Sequence, residues 1–105
     1  METLSVGHIV QYVLSKEDAE QINRRRVEGV ELSKNWPKGA QAHVGNPATA
    51  GDVVPAIIVH PHNDEASTFD GQAVLNGNDV LWITSVPYSP YSADSKPRTW
   101  HWLER

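Results

Sequence analysis

Residues 71–86 read GQAVLNGNDVLWITSV, and this stretch decides the fold. Two apolar runs of strand length flank Asn76, Gly77, Asn78 and Asp79, and Asn and Gly tolerate the positive φ that a tight turn requires. A β-hairpin is expected. Upstream, Gly51 and Asp52 form a turn ahead of VVPAIIVH (53–60). This run reads as a strand in which Pro55, unable to donate to a ladder, suits an edge or a bulge. Downstream, a proline-containing loop over 87–97 leads to TWHWL (99–103), a last strand.

The first strand is expected over VGHIVQYVL (6–14), rich in β-branched and aromatic residues. Ser15, followed three positions later by Asp18, matches the pattern in which a hydroxyl and a carboxylate satisfy the free N–H groups of a helix start. A helix is therefore predicted from Lys16, with Ala19, Ile22 and the stem of Arg26 on its inner stripe. Glu17, Asp18 and Glu20 at its start and Arg24, Arg25 and Arg26 at its end would complement the helix dipole. Residues 27–35 either extend the helix or begin an irregular crossing; Gly29 weakens the first option. With a short strand at 40–44, the inventory is 6–14, 40–44, 53–60, 71–76, 80–86 and 99–103. It predicts one mainly β domain, a small SH3-like β-barrel or roll with a helix inserted after the first strand.

Composition narrows the function. A chain of 105 residues with four Trp and three Tyr can bury one core. A net charge of −4 argues against general nucleic-acid binding, which favours a basic face. The absence of cysteine excludes disulfides, thiolate catalysis and Cys-type zinc sites. No segment approaches the ~20 apolar residues of a membrane span, and Met1 to Leu14 lacks a basic leader, so no membrane partner and a cytoplasmic location are expected.

Asn23, Arg24 and Arg25 form a candidate anion site, because the planar guanidinium fork donates two bonds to two phosphate oxygens. Successive helix positions lie ~100° apart, so at most two of the three arginines converge on one anion. The competing reading is a solvated helix end pairing with Glu17, Glu20 or Glu28. Trp100 and Trp102 share a face by the period of two and serve either as core or as a stacking wall for a base. Trp82 is expected in the core, and Tyr88 and Tyr91 are expected to be exposed. His60 and His62, two apart with Asp64 nearby, are weak metal candidates, although Pro61 suggests a loop there. Asp52, Asp70 and Asp79 read as turn residues, and no catalytic motif is present.

Several fragments resemble a group of short proteins encoded by bacteriophages and prophages: GHIVQY (7–12), AEQINRRR (19–26), AHVGN (42–46), Gly51 with Asp52, NGND (76–79) and TWHW (99–102). The resemblance spans most of the chain and implies a viral origin, hence the cytoplasm of an infected bacterium; it assigns no site residue. The expected function is non-catalytic binding. In its sharpest form, Asn23, Arg24 and Arg25 with an aromatic from Tyr88, Tyr91, Trp100 or Trp102 sequester a small anionic, nucleotide-derived defence signal at a boundary between subunits of a homo-oligomer. The alternative is a protein–protein module, a minor virion component or an inhibitor docking on a host enzyme through residues 88–97. A third reading is a metal-dependent hydrolase built on His60 and His62. No cofactor is expected.

Overall fold

The computed structural model describes residues 4–33, 47–76, 79–90 and 96–102. The order is β1 (Ile9–Val13), α1 (Lys16–Ser33), β2 (Val53–Pro61), β3 (Phe69–Val74), β4 (Val80–Val86) and β5 (Trp100–His101). All neighbours in the single sheet are antiparallel, in the order β4-β3-β2-β1-β5. The fold is thus mainly β with one helix after the first strand. The strand expected at 40–44 lies outside the described residues.

Closure into an SH3-like barrel is not met. β4 and β5 form opposite edges of the sheet, joined past the end of β4 by the parallel bridge between Tyr88 and Trp100. Trp100 N–H donates to Pro87 O at 3.0 Å and Ser89 N–H to Trp100 O at 3.0 Å. The sheet therefore curls without its two edges zipping together.

Pro55 sits in β2, the central strand, rather than at an edge. The ladder to β1 bonds at Asp52 and Ile58, hence at even positions by alternation, and Pro55 turns its nitrogen the other way. On that side pairing with β3 begins only at Ala56, so the missing N–H falls at the end of that ladder and interrupts none of the pairs beyond it.

The helix begins where the sequence predicts. Asp18 N–H donates to Ser15 Oγ and Ser15 N–H to Asp18 Oδ2, both at 3.0 Å, a reciprocal capping box. The same carboxylate accepts the Tyr12 hydroxyl, tying the helix start to β1. Of the two options for residues 27–35, the helix takes the extended one. α1 runs through Gly29 to Ser33 with no basic residue in its last turn, so Arg24, Arg25 and Arg26 lie in mid-helix and do not complement its dipole. Ala19, Ile22 and Arg26 form the buried stripe as predicted.

The core lies between the helix and the inner face of the sheet, where Val10, Tyr12, Ala56, Ile58, Phe69, Ala73, Leu81, Ile83 and Trp100 are buried. Gly71 is required there. A Cβ at this position would stand 2.2 Å from Ile57 O and 2.9 Å from the Phe69 ring. The register of β3 shifts against both neighbours at this level, between Ile58 and His60 and between Phe69 and Gly71. The backbones approach too closely for any side chain.

Candidate functional site

The outer face of the sheet carries the feature that most needs explaining. Pairing aligns Ile9 with Ile57, Ile57 with Gln72 and Gln72 with Trp82, a row across four strands. A second row sets Gln11 against Pro55 and Val74 against Val80. Ile9 is 52% exposed and Trp82 53%, and Val53, Ile57, Val59, Val74 and Val80 are also open to solvent. Trp82, expected in the core, is thus an outer-face residue: its neighbours Leu81 and Ile83 take the buried parity.

The free edge beside this face is blunted. Leu75 N–H bonds to Asp79 O, so alternation turns the backbone groups of Val80 and Trp82 outwards, away from β3. Arg25 donates to Val80 O at 3.2 Å, and Arg98, reaching over from beside β1, donates to Thr84 O at 2.9 Å. Two cations on edge carbonyls, two residues either side of Trp82, discourage strand addition. The apolar field offers its face rather than its edge.

The residues predicted to bind an anion are dispersed. Asn23 clamps the chain ahead of β2, donating to Ala48 O at 2.9 Å and accepting from Ala48 N–H at 2.8 Å. Arg25 and Arg26 pair with Asp79 at 3.5 and 3.4 Å, and Arg26 also donates to Asn76 O at 2.9 Å. Asp79, read as a turn residue, is therefore an ion-pair partner for both. Arg24 is exposed. The aromatic candidates gather elsewhere, past the end of β4. Trp100 is 0% exposed and donates to Ser67 O at 2.8 Å, so its ring is core and presents no stacking face. Tyr88 is half-buried against it, 4.9 Å between centroids, rather than exposed, and Trp102 meets it edge to face at 5.1 Å. Tyr91 lies outside the described residues. Arg25 meets the start of β4 and Tyr88 follows its end, a separation of ~20 Å at ~3.3 Å per residue.

His60 and His62 come together edge to face, 5.1 Å between centroids, with Pro61 as the last residue of β2 between them. Asp64 is engaged by Thr68 N–H at 2.8 Å and by its hydroxyl. The carboxylate at His62 is instead Asp70, a β3 residue, which meets Nε2 at 3.0 Å and accepts from Ser85 N–H at 2.8 Å. The His62 hydrogen bond, then the Ser85 N–H, hold Asp70 below the usual carboxylate range. No group of three or more ligating side chains among the described residues is arranged to hold a metal ion.

Two interior features bear on chemistry. A cleft lined by Leu14, Ile22, Arg26, Ala48, Val54 and Leu75 holds about 70 Å³, far below the ~300–1,000 Å³ of sites that engulf small molecules. Burial, and then the bond to Asp18, push the Tyr12 phenol well above its ordinary range, so it stays a neutral donor. Among the described residues no helix is long and apolar enough to cross a membrane.

The sequence reading missed the outer face, although a signal for it exists. Residues 53–59 and 80–83 are apolar at both parities, the pattern of strands covered on both sides. Comparison with known proteins gives no match: no family model, no curated protein and no solved structure is significantly similar to this chain.

Proposed function

We propose that this protein is a non-catalytic binding module that works through protein–protein contact, with the outer face of its sheet, anchored by Trp82, as the working surface. The observation that carries the reading is the exposed row Ile9, Ile57, Gln72 and Trp82, apolar at every position but Gln72, with Val74 and Val80 beside it. Contiguous apolar patches of this kind mark interaction sites, and Trp is enriched in them. The resemblance to phage and prophage proteins supports a setting in the cytoplasm of an infected bacterium, as a minor structural part or as an inhibitor of a host enzyme.

Sequestration of a nucleotide-derived anion has less support. Asn23 and Arg25 are committed to Ala48, Val80 and Asp79, and the cleft beside Arg26 is too small for a nucleotide. Native mass spectrometry of the protein purified from bacteria separates the two readings. The wild type is expected to carry a second polypeptide that Trp82→Lys loses. A nucleotide-sized increment retained by both proteins would overturn the proposal.

A further inference from the structure

We infer that the occupant of the outer face is a second copy of this chain, packed face to face like the two sheets of a sandwich; this rests on the reading of that face as the working surface. Charge is the first argument. With a net charge of −4 per chain, two copies repel wherever their carboxylates approach. The apolar field removes that obstacle, because Ile9, Ile57, Val74, Val80 and Trp82 are uncharged. Gln11 and Gln72, which interrupt them, are neutral amides. The carboxylate at its border, Asp70, is already engaged by hydrogen bonds from His62 Nε2 and Ser85 N–H. A charged partner finds nothing to pair with inside this field, whereas an identical field meets it without penalty. Depletion of charge at the centre is the composition of homodimer interfaces.

Area is the second argument. The exposed aliphatic and Trp side chains present on the order of 500 Å² of apolar surface, at the upper end of the ~300–600 Å² patches found on monomers. Gln72 within the field and Pro55 and Thr84 beside it add exposed uncharged surface, in the direction of the ~800 Å² per partner of a standard interface. Geometry supplies the third. Arg25 and Arg98 cap the β4 edge, so copies meet through faces rather than edges. Face-to-face sheets settle ~10 Å apart with their strands within ~30° of one another. Apolar residues at both parities of β2 and β4 are what such a two-sided burial requires.

Sedimentation velocity of the full chain over about 1–100 μM tests the inference. The wild type is expected at twice the 11.7 kDa chain mass. Trp82→Lys and Ile57→Lys are each expected to weaken self-association by at least ~100-fold, the loss typical of a central anchor. Val27→Lys, on the exposed side of α1, is expected to leave it unchanged. Thermal melts confirm that the variants fold; where lysine lowers the melting point, Trp82→Thr replaces it. A wild type that stays monomeric throughout overturns the second-copy inference alone, provided it binds an apolar dye that Trp82→Lys does not, since the face then still seeks another protein. A dimer indifferent to both lysines overturns the inference and the working-face reading together.

Discussion

The two faces of the sheet are made by the same strands and end differently. On β4, Leu81, Ile83 and Val86 turn inwards and are buried, while Val80 and Trp82 turn outwards and stay open. The inner face is closed by α1, through Ile22, and by Trp100, which meets Phe69 edge to face at 6.0 Å between centroids. The outer face is closed only at its β1–β5 end, where Val13 and His101 are buried; among the described residues nothing closes it over Ile9, Ile57, Val74, Val80 and Trp82. Burial in this fold is decided by what crosses a face, since hydrophobicity is supplied to both.

Comparing two tryptophans is the most direct way to break this picture. Trp100→Ala removes a fully buried indole and its bond to Ser67 O, and is expected to cost ~3–5 kcal/mol. Trp82→Ala in the dilute protein is expected to stay within about 1 kcal/mol. Urea denaturation at low protein concentration measures both; similar losses would mean that the outer face is packed after all. Raising the concentration should widen the gap between wild type and Trp82→Ala if association stabilises the fold.

Neighbours on β3 repeat the test with backbone in place of side chain. Gly71→Ala drives a methyl into Ile57 O and the Phe69 ring, and at least ~1–3 kcal/mol of overpacking cost follows. Gln72→Ala, one residue on and facing outwards, is expected to lie within ~0.5 kcal/mol. A tolerated Gly71→Ala would show that the bulged β2–β3 contact can open.

Next in size is the helix start, where the fold was most legible. Ser15→Ala breaks one half of the capping box and is expected to cost ~1 kcal/mol in thermal or urea unfolding. The signal was readable because both partners lie within four residues. The hairpin of β3 and β4 was readable for the same local reason, although β3 begins earlier than expected, at Phe69. The helix end was hidden. Arg24, Arg25 and Arg26 imitate a C-terminal turn, but their partner Asp79 is more than fifty residues away, and only the fold brings it to Arg25 and Arg26. The parity of Trp82 was hidden too, because a run apolar at every position fits either orientation. That ambiguity conceals the candidate site, and its chemical meaning appears only once the helix is seen to cover one face.

The smallest expected effect sits where the apolar field turns polar. Asp70 accepts from His62 Nε2 and from Ser85 N–H, and these bonds lower its folded pKa below the unfolded value. A carboxylate shifted in this direction stabilises the fold above its unfolded pKa and loses that contribution as pH falls through the folded one. Stability should therefore decline on the acid side of the usual carboxylate range, and Asp70→Asn should flatten part of that decline while changing little at neutral pH beyond the loss of the charged partner. Asp64, lowered by Thr68, contributes to the same acid limb, so the Asp70→Asn difference must be read against Asp64→Asn. Urea midpoints measured between about pH 3 and pH 7 resolve the two. An acid limb identical in wild type and Asp70→Asn would mean that the bonds at His62 and Ser85 do not distinguish the folded carboxylate from the unfolded one. The polar border of the outer face would then be far looser than its apolar interior.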